Sequence, residues 1–412
     1  MLTSHAEFTG GMGMNLARAR RMASATAMVT LCGLLGTAPV AAQEEPASGA
    51  LSASQVDDLS RLTETYLQTR ANMVTNHPPT LRAARVAATS PMANQLEGEF
   101  KQLIAKGKRY KELDGGNTKA AVDITVTDTS LNGDTATLQV TEYTRLYLPF
   151  TAEEVSEGAP EYEEISLPHE VTFTQGADGA WLLASDKVEA GSGPTPSTQV
   201  SEPATGEGEA DDAGGVPEEE EGAKEAPSST DNLPGGDTGD GKPDNVDDGG
   251  QALRGYNYGK MVKYANKYWQ NRNGHFRSYG NDCTNFISQA MDAGGWGAKG
   301  GSFIQRRSNK YWFYGPVQVM TSYTWAGAEN WYWFAIKHSK RVKPLNNVYK
   351  LVSSDVLQAD WDRNNNINHT MIVTKKFRGM PFLTYHTKDT HNMSMERIVD
   401  NHPRAWWYAH RT

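Results

Sequence analysis

Between residues 51 and 190 the apolar positions switch period once, from helical to alternating. The run SASQVDDLSRLTETYLQTRANMV sets Leu59, Leu62, Tyr66 and Leu67 at helical spacing behind a Ser-x-x-x-Asp start. Residues 120–131, 133–148, 164–175 and 179–188 then alternate apolar with polar side chains, and the separators LNGD and GADG carry hairpin turn chemistry. The pattern predicts a helix followed by an antiparallel meander. From 191 to 250 apolar residues nearly vanish. The helical period returns at 256–273, where Tyr258, Met261, Val262, Ala265, Tyr268 and Trp269 share a face, and the helix is expected to end near Asn273-Gly274. A second helix is expected to start at Asp282 or Cys283, with Asp282 as N-cap, Cys283, Ile287, Ala290 and Gly294 on one face, and Gly294-Gly295 ending it. Further on, HTMIVTKK reads as a strand with His369 at its start, PFLTYHTKD as a strand carrying His386, and AWWYAH as a closing strand.

Charge sharpens this division. The chain of 412 residues has a formal net charge of −9. Residues 191–250 contain 16 acidic and 2 basic residues, a composition expected of a solvated, disordered linker. Within it GDTGDGKPDNVDDGG lacks the closing Glu of a calcium loop. Residues 251–412 carry 23 basic against 9 acidic residues and nine of the ten tryptophans. A basic, aromatic-rich domain expects an anionic partner, and without a nucleic-acid motif, peptidoglycan or another anionic cell-wall polymer is the better candidate. Residues 1–42 read as a signal peptide: Arg18, Arg20 and Arg21, then an apolar run, then Val40 and Ala42 before the cleavage point. Met14 is an alternative start. Bulky Leu31 before Cys32 argues against a lipoprotein, and the apolar run is too short for a membrane span. The expectation is a secreted, extracellular protein, with association with the cell wall open to it and no stable membrane insertion after cleavage. Its parts are a small α+β domain at 51–190, the linker, and a second α+β domain at 251–412.

With the leader removed, Cys283 is the single cysteine. One reading is a small buried hydrophobe. Its place in the first turn of a helix favours the other, because unpaired backbone amides and the helix dipole favour a thiolate. A thiolate nucleophile needs a base, and His369 at the start of a strand packed under that helix supplies one. A third polar group can then orient the imidazole. In such acyl transfer the Cys283 amide, with the Tyr279 side chain as a possible second donor, would bind the oxyanion.

YNYGKMVKYANKYWQNRN, YGNDCTNFISQAMDAGG, SYTWAGAENWYWFA, DVLQADWDRNNNINHTMIV and LTYHTKDTHNMSM, in that order, resemble the bacterial "putative amidase domain" family. That family is similar to the CHAP and related papain-like cell-wall cysteine peptidases, and the resemblance covers about residues 254–412. It implies a papain-like α+β fold with Cys283 as nucleophile and His369 as general base. His386 is the third member by strand position, with Asp389 and Asn392 as alternatives. Asp282, preceding the nucleophile, is implied to hold a substrate amine. Residues 51–190 resemble the cystatin-like/NTF2-like architecture, which by itself carries no function. The expected activity is cysteine-dependent hydrolysis of an amide bond, in peptidoglycan stem peptides, with no cofactor. The alternatives are a non-catalytic wall-binding module and a secreted cysteine protease or toxin.

Other residues have a structural role as the alternative to a functional one. Trp325, Trp331 and Phe334 fit a helical face and read as core. Trp296, Trp312 and Trp361 lie near glycine-rich or polar segments and are candidates to line a substrate groove. Lys299, Arg306, Arg307 and Lys310 form a basic loop. Asp360, Asp362, Asn364, Asn366 and Asn368 alternate like a calcium loop but lack its turn glycine, so an Asx-rich turn is favoured over an ion site. His275, His338, His391 and His402 lack zinc-ligand spacing.

Overall fold

Helix α1, Ala53–Asn72, starts at a capping box in which Ser52 and Gln55 satisfy each other's backbone N–H groups, and it buries Leu59, Tyr66 and Leu67. The computed structural model describes residues 48–188, 191, 193–200, 224–231, 242–246 and 255–412, so the expected leader and Cys32 lie outside the described residues. A helix that the sequence reading did not anticipate follows. Helix α2, Ser90–Asp114, has a proline in its first turn and ends at Gly115 (φ 87°); Met92, Leu96, Phe100, Leu103, Gly107 and Tyr110 line its buried face. Gly107 lets it approach the first helix's exit, since a Cβ there would sit 2.7 Å from the Val74 carbonyl oxygen.

Both helices lie on the predicted meander: β1 (Ser48–Gly49), β2 (Lys119–Asn132), β3 (Thr135–Tyr147), β4 (Tyr162–Gln175) and β5 (Trp181–Val188), with α3 (Ala152–Ser156) between β3 and β4. Ala136, Leu138 and Val140 of β3 face the helices with Leu59, Leu67, Phe100 and Leu103. The second half adds α4 (Tyr258–Tyr268), α5 (Cys283–Ala293), α6 (Tyr323–Ala326) and α7 (Ala328–Trp333), which runs into a π-helical turn at Phe334–His338. Its strands are β6 (Lys343–Leu345), β7 (Val356–Asp360), β8 (His369–Phe377), β9 (Met380–Tyr385), β10 (Thr390–Ser394) and β11 (Trp406–Arg411), and α8 (Met395–Asn401) follows β10. Helix α4 ends five residues before the expected Asn273, whose side chain instead bonds the His275 N–H and the Tyr264 hydroxyl.

The fold is mixed α and β around one large antiparallel sheet, ordered β1-β2-β3-β4-β10-β9-β8-β7-β11-β6, with β5 also on β4. The two halves therefore share a sheet, joined where β10 pairs with β4 through Thr390–Ile165 and His391–Glu164. A fully buried guanidinium braces the joint. Arg397 of α8 meets both Asp114 carboxylate oxygens at 2.7 and 2.9 Å, the Asn117 side chain at 2.9 Å and Glu163 at 3.0 Å, and lies over the Tyr110 ring.

Three stretches of the expected solvated linker are bound to this body instead. Residues 193–199 are buried. The Ser228 N–H donates to the Trp407 carbonyl. Lys242 is buried on Asp355 at 2.6 Å, with Ser354 and Thr412 also within hydrogen-bond reach. Their composition offers little apolar surface, and they are held by polar groups and backbone carbonyls, which hydropathy does not register.

A buried polar chain also holds the first half together. His169 lies between Glu142 and Asp186, at 2.8 Å from each. Burial opposes its protonation, but hydrogen bonds and charge from Asp186 and Glu142 outweigh burial and raise the imidazole to about 9. The stabilisation is thus present in full below its ordinary 6.5 and is lost as pH rises through about 9. Replacing His169 by Gln should cost about 3–5 kcal/mol near neutral pH. The urea-denaturation gap from wild type should narrow above pH 9; a gap independent of pH would show an uncharged imidazole.

Candidate active site

Cys283 opens α5 as the hydropathy pattern predicted, following Asp282. The sulfur lies 3.7 Å from the Thr284 hydroxyl and is hydrogen-bonded by the backbones of Thr284 and Thr370. The Thr284 and Thr370 hydroxyls meet at 2.9 Å and pin the first turn of α5 to the start of β8. Thr370 directly follows His369, so the sulfur sits against the backbone that carries the imidazole. α5 begins at the cysteine and β8 at the histidine, but side chains alternate along β8: Thr370 and Ile372 face α5, whereas the expected base His369 packs with Trp361 and Tyr385 on the opposite face of the sheet.

Both groups are closed off from water. His369 is fully buried, packed tilted on Trp361 (5.8 Å) and edge-on to Tyr385 (5.5 Å), and neither ring nitrogen has a hydrogen-bond partner. Burial, with the positive field of Lys388 and His402, lowers it to about 3. Burial raises the Cys283 thiol, more than the hydrogen bonds from Thr284 and Thr370 lower it. At neutral pH burial thus favours the neutral form of both the thiol and the imidazole. A buried imidazole with two unsatisfied nitrogens is costly unless something else requires it.

The third group does not stand where expected. His386 lies just past the end of β9, stacked on Phe286 at 3.9 Å between centroids. Its Nδ1 meets Asp282 at 2.6 Å and its Nε2 meets the Tyr268 carbonyl at 2.8 Å. Both nitrogens are occupied, so His386 is not the orienting partner of His369. The alternatives are also engaged elsewhere: Asp389 forks with Arg272, and the Asn392 carbonyl accepts from Thr374.

Asp282 is likewise committed within the fold. It makes no side-chain cap to α5. It accepts from the Tyr279 N–H at 3.0 Å, from Asn285 at 2.7 Å and from His386, and it is buried. It ties the loop before α5 to the end of β9 and has no exposed face for a substrate amine. The Tyr279 hydroxyl sits beside Arg277 and Thr321.

Trp296 is not on a groove. It is fully buried among Trp312, Trp331 and Tyr256, and Trp312 is equally buried. The expected core residues Trp325, Trp331 and Phe334 join them. Trp361 does reach the site, under His369 and His402. Arg306 of the basic loop is internal, over the Tyr323 ring. Asp360 is buried and accepts from the Asn364 and Asn365 N–H groups, while Asn364 donates to Asp362, an Asx-rich turn closed on itself. Among the described residues no cluster of three or more His, Cys, Asp or Glu is placed to hold a metal.

Residues 255–409 match the model of the family described as "Putative amidase domain". The match supports a hydrolase acting on amide bonds, and it contains Cys283 and His369. Over 142 residues the chain is 32% identical to "Uncharacterized protein YhbB" of Bacillus subtilis (strain 168), which covers 33% of this chain; the chain spans 44% of that relative's length. The crystal structure of Kfla4162 protein from Kribbella flavida matches over 33% of this chain and 91% of its own, at 17% identity and a TM-score of 0.21, too slight a likeness to bear on function. No described helix is long and apolar enough to cross a membrane.

Residues missed by sequence reasoning surround this pair in the amidase-like domain. Thr370 was legible only as a strand residue, and His402 and Lys388, which set the field at His369, lie on separate turns. Asp282 provides the test of this geometry. Asp282→Ala should cost about 3–5 kcal/mol in urea denaturation, the range for breaking a buried pair. An unchanged midpoint with a raised KM would instead make it a substrate contact.

Proposed function

We propose that the protein is a secreted thiol amidohydrolase that cleaves an amide bond in peptidoglycan stem peptides. The observation that supports this reading is a thiol in the first turn of α5, pinned through Thr284 to Thr370, the residue next to His369, inside the matched amidase-like region. A cysteine-bearing helix on an antiparallel sheet with a histidine at a strand start is the arrangement a papain-like hydrolase uses. The basic balance of residues 251–412 and the leader-like start favour an anionic wall polymer as substrate.

The chemistry runs through two residues. In this reading His369 turns from its packing on Trp361 and Tyr385 to the α5 side of β8 and takes the thiol proton, and the Cys283 sulfur attacks the amide carbon. The carbonyl electrons move onto oxygen, where the backbone N–H of Cys283 donates. The imidazolium then gives its proton to the departing amine as the C–N bond breaks. Water, deprotonated by His369, attacks the thioester, the C–S bond breaks, and the carboxylic product leaves with the thiol restored. With His386 and Asp389 engaged elsewhere, the imidazole at rest is held by packing between Trp361 and Tyr385.

Cys283→Ala should abolish release of new amine termini from purified sacculi, a loss of at least about a thousandfold, while sacculus binding persists. Mass spectrometry of the digest reads the bond cut. Equal release by wild type and Cys283→Ala would remove the hydrolase reading.

A further inference from the structure

Among the described residues, the large hydrophobic side chains that stand exposed are Phe303, Ile304, Val317 and Val319, and Ile304 is 89% exposed. Scattered singly such residues are ordinary, but these four stand on two neighbouring loops. Residues 300–311 form the first loop, closed at its base where the Lys299 and Trp312 backbones bond each other at 2.7 and 2.8 Å. Residues 314–321 form the second, closed where the Ser322 N–H donates to the Phe313 carbonyl at 3.0 Å. Trp312 and Phe313 are consecutive, so the loops share a base. Arg306 joins them again: its carbonyl accepts from the Tyr323 N–H at 2.8 Å, and its guanidinium lies over the Tyr323 ring. Charge completes this surface. From residue 293 to 354 the chain has nine Lys and Arg and a single acidic residue, Glu329. Glu329 is taken up by Lys224 at 3.1 Å, by the Trp333 indole N–H and by the Ile367 N–H. Lys299, Arg307 and Lys310, at the base of the first loop and on it, are exposed.

We propose that the loops 300–311 and 314–321 form a peripheral docking surface for an anionic lipid bilayer. Phe303, Ile304, Val317 and Val319 enter the boundary between headgroups and acyl chains, while Lys299, Arg307 and Lys310 meet the headgroup phosphates. Such a surface lies on the membrane without spanning it. Two other occupants each answer half of the chemistry. An anionic wall polymer would satisfy the cations but offers nothing to four exposed apolar side chains. A second copy of this chain would cover the apolar side chains, but a two-fold axis would set one basic loop against the other. A bilayer with anionic headgroups meets both requirements at once. The docking surface does not depend on Cys283 being a nucleophile, so it stands or falls apart from the hydrolase reading.

The test is co-sedimentation of the full chain with vesicles of phosphatidylcholine alone and of phosphatidylcholine mixed with an equal part of phosphatidylglycerol. Wild type should partition at least about tenfold more strongly onto the mixed vesicles. The double variant Phe303→Ser/Ile304→Ser should lose at least about tenfold of that partition through the apolar contact. Arg307→Glu/Lys310→Glu should lose a similar amount through charge. All four positions are exposed, so the melting temperature should be retained. Val317→Ser/Val319→Ser, on the other loop, serves where the first double variant loses its cooperative melting transition. No sedimentation of wild type with the mixed vesicles, or partition equal to wild type in a folded apolar variant, would overturn the proposal. Loss of sacculus binding in that variant with vesicle partition unchanged would assign the surface to wall polymer instead. A dimer in solution that Phe303→Ser/Ile304→Ser dissociates, with vesicle partition unchanged, would assign it to a second copy.

Discussion

The guanidinium of Arg397 sets the arrangement of the molecule. It is fully buried and bonded to Asp114 and Glu163, so moving either half away would leave a charge stranded in a low-dielectric interior. That constraint holds β10 against β4 and turns two local folds into one sheet. Glu163 also accepts from Ser197, which joins the brace to the buried segment 193–199. The first half thereby bears on the half that carries Cys283, through α2 and β4.

The same burial governs the chemistry. Removing water from around Cys283 and from around His369 keeps the thiol protonated and the imidazole neutral, opposite to the charged pair that the proposed acyl transfer would use. The first turn of α5 and the bonds from Thr370 favour a thiolate. They prevail only when desolvation is relieved.

Local features of the chain were legible because they are written in side-chain periodicity. Cys283 begins a helix and His369 begins a strand as their neighbours imply, and the meander from β2 to β5 follows its alternation and turns. Tertiary commitments were not legible. Spacing gives His386 a strand-end position, but the pull of Asp282 and the Tyr268 carbonyl decides which way its nitrogens face. Trp296 lies between glycine-rich segments yet packs in the middle of the aromatic core. Helix α2 carries a regular apolar stripe from Met92 to Tyr110, diluted by charge. The stretch at 193–199 has no hydrophobic signal, because backbone atoms do its binding.

The central claim is that Cys283 and His369 act as a pair in hydrolysis of an amide bond. The most direct measurement is the release of new amine termini from purified sacculi by Cys283→Ala, His369→Ala and the double variant. The account predicts that all three lose activity to the same extent, at least about a thousandfold, as residues that act as a unit do. Activity retained in His369→Ala, or losses that simply add in the double variant, would contradict it.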